Sequence, residues 1–227
     1  NIVKNKNLKI KKTLSFISEA NIKKNFENLK YDSRYKMTWN DWLSAEQIII
    51  PFLGNYCKKN NLKFQIIPKG NGKYEKLFYE NLIQDKFKYT YLAKKNYFYG
   101  YESLNKSNYF VGINSSLAYE ALSRKKKVVF LSIRKEVLNK KGFNLDFRQF
   151  NFGWPHKFKK KGLFWSHINS KKEFERVLNF LTKINDQKWS KLINNLSDDF
   201  TIPYNRNNSI FLDFLRNLKI KTSLKNI

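Results

Sequence analysis

Residues 109–124 hold the side chains of this chain that are best suited to bind a ligand. A predicted strand over residues 109–113 ends at Asn114, and a predicted helix begins at once with Ser115 and Ser116. On a parallel sheet such a junction lies at the carboxyl edge, where α/β folds place their ligands. The free N–H groups and the positive dipole end of the first helical turn attract anions. The sequence therefore predicts a phosphate-binding site at this junction.

Glu120 lies one helical turn after Ser116, on the side of the predicted helix opposite its apolar face. Because the two residues are four apart, one ligand could contact both side chains. Glu120 does not stand three residues after either serine, the spacing of a capping box, so its carboxylate is free to accept hydrogen bonds from sugar hydroxyls. The alternative is an ordinary N-capped helix in which Glu120 is solvated or pairs with Arg124, and the pattern alone does not exclude it.

Two basic residues could complete the site. Lys69 follows a predicted strand at the same sheet edge, where it could neutralise phosphate or could be a solvated turn residue. Arg134 ends the strand after the predicted helix, so its guanidinium could bind a phosphate or carboxylate through two hydrogen bonds. A structural ion pair is the alternative for Arg134. Tyr101 and Glu102 open the preceding helix and could approach a nucleobase.

The chain offers little for a metal centre. It contains one cysteine and two histidines, and Asp198 and Asp199 lack the spaced Asp-x-Asp arrangement of metal-dependent transferases. We therefore expect no metal or other cofactor. Without a metal, a helix dipole and cations would have to offset the negative charge of a ligand.

Strand and helix patterns alternate along the chain, which predicts a parallel α/β sheet with right-handed crossovers and strand 109–113 at its centre. A partly alternating strand over residues 8–18 comes first. The predicted strands after it cover residues 62–67, 89–92, 109–113 and 127–132, with a further one near 163–165. The predicted helices cover residues 44–59, 73–83, 100–106, 115–124, 170–181, 189–196 and 210–218.

Local signals refine these elements. Ser44 with Gln47, and Ser170 with Glu173, have the spacing of capping boxes. Residues 135–161 are predicted to be the least regular part, with Trp154 packed onto the body. We expect one domain, in which residues 1–42 form an N-terminal strand and polar loop, 43–185 the core and 186–227 C-terminal helices.

The composition is strongly basic, with 45 Lys and Arg residues against 18 acidic residues and a formal net charge of +27. Nucleic-acid binding is one explanation, but no helix-turn-helix, zinc finger or RNP-type signature is present. AT-rich codons explain much of the excess of Lys, Asn, Ile, Phe and Tyr. The positive field still favours phosphate-bearing ligands and anionic membranes.

No apolar run approaches the roughly 18 residues of a membrane span. Because the chain starts at Asn1 without a leader, we expect a piece of a longer cytosolic protein.

Residues 111–134 resemble the C-terminal half of GT-B glycosyltransferases. They are more similar still to a bacterial family of proteins assigned to surface-carbohydrate and O-antigen biosynthesis. The likeness is carried by Gly-Ile-Asn-Ser-Ser-Leu-Ala-Tyr-Glu-Ala-Leu over residues 112–122 and by Ser-Ile-Arg over 132–134, and it extends loosely over residues 43–185. Residues 152–155 and 164–166 also look like that family. Two positions depart from the pattern, since Ala118 and Lys125 stand where glycine is usual.

This resemblance implies a Rossmann-like domain that forms one half of a GT-B fold. Ser115 and Ser116 would bind the donor phosphate, and Glu120 the hydroxyls of the ribose or donor sugar. Asn114, Lys69 and Arg134 complete the expected donor site. The protein would be a metal-independent glycosyltransferase with a nucleotide-sugar donor and a surface-glycan or lipid-linked acceptor.

The resemblance also implies an incomplete enzyme, because it covers only the donor-binding half of a GT-B enzyme and not the acceptor-binding domain. The expected location is the cytoplasm, or the inner membrane as a peripheral protein, with no specific nucleic acid as partner. The alternatives are a CDP-polyol phosphotransferase on the same scaffold and a basic nucleic-acid-binding domain.

Overall fold

A computed structural model of the chain describes residues 12–22, 30–32, 36–70, 72–93, 96, 98–143, 150–153 and 158–196. The expected helix over residues 210–218 and the packing of Trp154 lie outside the described residues. The strands are β1 Thr13–Ile17, β2 Lys30–Asp32, β3 Met37–Thr38, β4 Lys63–Ile67, β5 Thr90–Tyr91, β6 Tyr109–Gly112, β7 Lys127–Leu131 and β8 Trp165–Ser166. The helices are α1 Trp39–Trp42, α2 Ser44–Lys59, α3 Lys73–Ile83, α4 Tyr99–Ser103, α5 Ser116–Ser123, α6 Arg134–Lys140, α7 Lys171–Lys183 and α8 Asp186–Asn194.

Six strands form one sheet in the order β5-β4-β1-β6-β7-β8, and all its neighbouring strands are parallel. Strands β2 and β3 form a separate antiparallel pair. Numbered within the large sheet alone, the order is 3-2-1-4-5-6, which is that of the Rossmann fold. The expected parallel α/β fold is confirmed, and β6 lies in the interior of the sheet between β1 and β7 as predicted.

Helices cover both faces of β6, which explains why this strand is apolar. Gly112 faces α5, because a Cβ at this position would lie 2.6 Å from that of Ala118. Tyr109 faces the other way, and its hydroxyl donates to the carbonyl of Thr182 in α7 at 3.5 Å. Since odd and even residues of a strand point to opposite faces, α5 and α7 lie on opposite sides of the sheet. Helix α2 lies on the α7 side, where Phe52 and Phe174 meet edge to face at 5.3 Å.

Several local expectations were wrong. Residues 134–140 form α6 although most of this stretch was expected to be irregular, and the polar loop before residue 43 contains β2, β3 and α1. Neither expected capping box forms. Ser44 is already helical and donates its hydroxyl to the carbonyl of Asp41 at 2.6 Å, and Glu173 pairs with Arg176 at 2.9 Å.

The capping box that does form opens α1 and joins Thr38 to Asp41. It uses an aspartate where the usual signature has glutamate or glutamine. Among the described residues, no helix is both long enough and apolar enough to cross a membrane.

The contact between β6 and α5 generates a prediction about stability. We expect Gly112→Ala to lower the free energy of unfolding by about 1–3 kcal/mol, because the new methyl group overlaps the side chain of Ala118. Ala118→Gly alone should cost about 1 kcal/mol as a helix-interior glycine. In urea titrations the double variant should lose less than the sum of the two single losses. Strictly additive losses would contradict a direct contact between the two side chains.

Candidate functional site

A cavity of about 400 Å³ opens at the carboxyl edge of the sheet between β1 and β6. Because the chain leaves these two strands towards opposite sides, this is the point at which the strand order reverses, where open α/β sheets bind their ligands. The volume lies within the range of ligand pockets, roughly 300–1,000 Å³. The residues that line this crevice are Ile17, Ser18, Glu19, Pro68, Lys69, Gly100, Tyr101, Asn114, Ser115, Ser116 and Leu117.

The structure brings four of the six expected donor-site residues together in this crevice. Lys69 comes from the turn after β4, Asn114 and Ser115 follow β6, and Ser116 is the first residue of α5. Glu120 is half-buried one turn further along α5 and is not among the lining residues. Arg134 does not line the crevice either. The expected site is therefore divided, because Glu120 and Arg134 lie outside the crevice that the other four residues line.

The start of α5 presents its polar groups to the crevice. Ser115 is the N-cap residue, with extended backbone, and its side chain makes no capping hydrogen bond. Ser116 is exposed. Its N–H group and that of Leu117 lie in the first helical turn, where backbone N–H groups have no intrahelical acceptor. Two hydroxyls and these N–H groups could therefore bind an anion at this point.

Glu19 forms part of the floor of the crevice and is only 8% exposed. Its Oε1 accepts a hydrogen bond from the backbone N–H of Asn114 at 2.5 Å, and its Oε2 pairs with Arg134. This carboxylate thereby holds the turn that leads from β6 into α5. Its charge is offset by the guanidinium behind it, so it presents less repulsion to an anion in the crevice.

Arg134 is fully buried, which contradicts the expectation that it reaches a donor phosphate. Besides Glu19 it binds Glu46 at 2.7 Å, and its Nε donates to the carbonyl of Trp42 at 3.2 Å. The guanidinium also lies 4.2 Å from the centre of the Trp42 ring. Arg134 therefore forms structural ion pairs, which is the alternative role that its sequence position suggested. Burial raises the pKa of Glu46, with Arg134 opposing and Glu19 adding to the rise.

Glu75 holds the turn that carries Lys69, a role that sequence reasoning missed. Its Oε1 accepts from the N–H of Lys69 at 3.0 Å and from the hydroxyl of Ser18 at 2.5 Å, and its Oε2 accepts from the N–H of Gly70 at 2.9 Å. Burial raises the pKa of Glu75 to about 7, although these hydrogen bonds oppose the rise. Its place three residues after Gly72, in the first turn of α3, is the signal that could have found it.

Tyr101 forms a wall of the crevice. The guanidinium of Arg124 lies 5.0 Å from the centre of its ring. The neighbouring Gly100 packs close to Leu117, from which an added Cβ would be 3.3 Å away. Helix α4 therefore closes tightly on the start of α5 and places one aromatic ring beside the candidate phosphate site.

Residues 152 and 153, in the segment that was expected to be irregular, pack beside α5 and against β7 and β8. Phe152 is fully buried and stacks on Tyr119 with 5.8 Å between ring centres. The N–H of Gly153 donates to the hydroxyl of Tyr119 at 2.9 Å. Among the residues that the structure describes, no group of three or more His, Cys, Asp or Glu side chains could hold a metal ion.

Fold and crevice together define a Rossmann-like α/β protein with a ligand-sized cavity at the switch point of its sheet. The profile of a family described as "putative O-antigen biosynthesis protein" matches residues 1–219, nearly the whole chain. The chain therefore belongs to that family. This agrees with the resemblance to a surface-carbohydrate and O-antigen biosynthesis family and gives the protein a role in cell-surface polysaccharide biosynthesis. The comparison with curated proteins found no match.

The raised pKa of Glu75 predicts a pH dependence of stability. The folded protein keeps this proton to about pH 7, whereas the unfolded chain loses it near pH 4.3. The folded state binds more protons between these values, so its stability falls as the pH rises through them. The free energy of unfolding of the wild type, minus that of Glu75→Gln, should fall by about 2–3 kcal/mol from pH 5 to pH 8 in urea titrations. The contributions of other titrating groups cancel in this difference. If the free energies of unfolding of the two proteins changed in parallel with pH, the prediction would be wrong.

The buried network of Arg134 generates a second prediction. Arg134→Gln leaves Glu19 and Glu46 without their cation and should lower the free energy of unfolding by about 3–5 kcal/mol. Glu46→Gln is the matched control, because it keeps the shape and the Oε1 acceptor while removing one buried charge. We expect this control to cost less than half as much in the same denaturation experiment. Equal losses in the two variants would show that shape, not charge compensation, matters here.

Proposed function

We propose that this protein is the nucleotide-sugar-binding domain of a glycosyltransferase in cell-surface polysaccharide biosynthesis. The observation that carries the proposal is the crevice at the switch point of the sheet, which brings Lys69, Asn114, Ser115 and Ser116 together. These residues come from two separate loops and one helix start. The family supplies the biological context, because nucleotide sugars are the usual donors for polysaccharide synthesis.

The diphosphate of the donor would bind at the start of α5. The N–H groups of the first turn, the hydroxyls of Ser115 and Ser116 and the ammonium group of Lys69 are donors that suit phosphate oxygens. The same groups would stabilise the negative charge that develops on the nucleotide as it leaves. Because the backbone donors are held by the fold, they need no rearrangement during the reaction.

The base of the nucleotide would lie against Tyr101. An aromatic side chain in a crevice wall offers a large apolar face to a planar ring. The guanidinium of Arg124 lies 5.0 Å from the centre of this ring. Glu120 would be reached only by a ligand that extends beyond the crevice along α5. Its carboxylate would then accept hydrogen bonds from the hydroxyls of the donor sugar.

The proposal separates donor binding from transfer. In GT-B enzymes, which the sequence resembles, the acceptor site and usually the catalytic base belong to another domain. We therefore expect this chain to bind donor weakly and to require a partner domain for transfer to a surface-glycan or lipid-linked acceptor. The proposed reaction is metal-independent.

A nucleotide panel tests the proposal. UDP, GDP, CDP and CMP should be compared in thermal-shift and calorimetric titrations, and one of the diphosphates should bind and raise the melting temperature. Binding of CDP and CMP together would favour the alternative of a CDP-polyol phosphotransferase. If no nucleotide binds, and the protein instead binds nucleic acids of any sequence in a strongly salt-dependent manner, the nucleic-acid alternative would replace the proposal.

Variants of the crevice make the prediction specific. Ser116→Ala and Lys69→Gln should each weaken binding of the preferred nucleotide about tenfold or more, because each removes a hydrogen bond to phosphate. Lys73→Gln is the matched control for Lys69, since Lys73 is exposed and lies outside the crevice lining. Glu120→Ala should weaken binding of the nucleotide sugar but not of the free nucleotide. Unchanged affinity in both crevice variants would show that phosphate does not bind at the start of α5.

A further inference from the structure

A second cavity, of about 520 Å³, lies towards the amino edge of the sheet. It is lined by residues from the starts of β1, β4 and β5 and from the segment before β6, namely Thr13, Leu62, Lys63, Phe64, Gln65, Lys88, Tyr89, Thr90 and Lys106. Among these described residues three are lysines and none is acidic. We call it the lysine cavity. Lys63 and Lys69 are six residues apart along the extended chain, so the lysine cavity and the crevice are roughly 20 Å apart.

The sheet beneath the lysine cavity is unusually polar. Thr13 pairs with Lys63 and Ser15 with Gln65 in the parallel register, so these four side chains point to the same face. Interior strands of a parallel sheet are normally apolar on both faces. Here Ser15 is fully buried and shares a hydrogen bond with Ser107, whose hydroxyl also accepts from Nε2 of Gln65 at 3.1 Å. Gln65, which lines the cavity, therefore belongs to a polar hydrogen-bond network on this face of the sheet.

Three exposed lysines from separate elements line this cavity. Lys63 begins β4, Lys88 precedes β5 and Lys106 follows α4. Within the described residues none of the three forms an ion pair with a carboxylate, and Lys106 contacts only the ring of Tyr99, at 5.0 Å. Like charges gathered at one cavity repel each other. A bound anion would remove that repulsion.

We propose that the lysine cavity binds a phosphate group of a second ligand, separate from the ligand of the crevice. A phosphate carries two or more negative charges and several strong acceptor oxygens, which suit the ammonium groups of three lysines on separate elements. The hydroxyls of Thr13 and Thr90 and the amide of Gln65 add polar groups at the same cavity. The group could be that of a free phosphate compound or of a lipid headgroup, because both present the same chemistry.

The experiment uses inorganic pyrophosphate and lipid vesicles as probes. All proteins carry Ser116→Ala and Lys69→Gln, so that the crevice does not contribute. Calorimetric titration should show saturable pyrophosphate binding. In the cavity variant, in which Lys63, Lys88 and Lys106 are all changed to Gln, affinity should fall about a hundredfold or more. The control variant changes Lys171, Lys172 and Lys191 to Gln, three exposed lysines outside the cavity lining. It has the same net charge and should bind as before.

A parallel sedimentation assay compares vesicles of phosphatidylglycerol with vesicles of phosphatidylcholine. Loss of pyrophosphate binding in the cavity variant alone supports the proposal with a free phosphate compound as ligand. Binding to phosphatidylglycerol vesicles alone, lost only in the cavity variant, supports it with a lipid headgroup as ligand. Absence of binding to both probes, equal losses in the control variant, or binding of nucleic acid in their place would overturn it.

Two further readouts separate this proposal from misfolding and from the proposed function. Without phosphate the cavity variant should melt at the same or a higher temperature than its parent, because charge repulsion is removed. With the crevice residues restored, the cavity variant should still bind the nucleotide that the wild type prefers. Loss of nucleotide binding in that protein would show that the two sites are not separate, and would overturn this inference while leaving the crevice in place.

Discussion

The buried guanidinium of Arg134 is the interaction on which the geometry of the crevice depends. It binds a carboxylate from the segment after β1 and another from α2, and through Glu19 it reaches the N–H of Asn114 at the turn into α5. A buried charge is tolerated only when its hydrogen-bonding groups are satisfied. The guanidinium achieves this with two carboxylates, the carbonyl of Trp42 and the face of the indole ring. Four elements must therefore keep their relative positions, and the start of α5 is held where the crevice needs it.

Charge is handled differently at the two edges of the sheet. At the carboxyl edge, buried carboxylates organise the polar backbone. Glu19 holds the turn after β6, and Glu75 holds the turn after β4 by accepting two N–H groups. At the amino edge no described carboxylate neutralises the lysines that line the second cavity. The net charge of +27 is thus not a uniform background, because the fold pairs some cations inside and gathers others around a cavity.

The alternation of strands and helices over residues 62–132 was readable because each element is short, regular and bounded by polar turns. Strand β6 was placed in the interior because its residues are apolar on both faces, and only a strand covered on both sides shows that pattern. Helix α6 was missed because its apolar contacts, made by Val137 and Leu138, occupy only one turn among charged residues. The capping box expected at Ser44 does not form because Ser44 already lies inside α2. At the start of α7, Ser170 is the N-cap residue, but Glu173 pairs with Arg176 instead of the cap.

The sequence by itself determined the fold class and the junction of strand and helix over residues 114–116. Both depend on residues that are neighbours in the chain, so their local order is enough. Tertiary structure alone decided that Arg134 is buried and that Glu75 holds the turn of Lys69. The reason is distance along the chain. Arg134 meets partners 115 and 88 residues away, and Glu75 meets Ser18 at a separation of 57 residues. Which carboxylate reaches which cation depends on the crossovers of the sheet, and no local pattern encodes that.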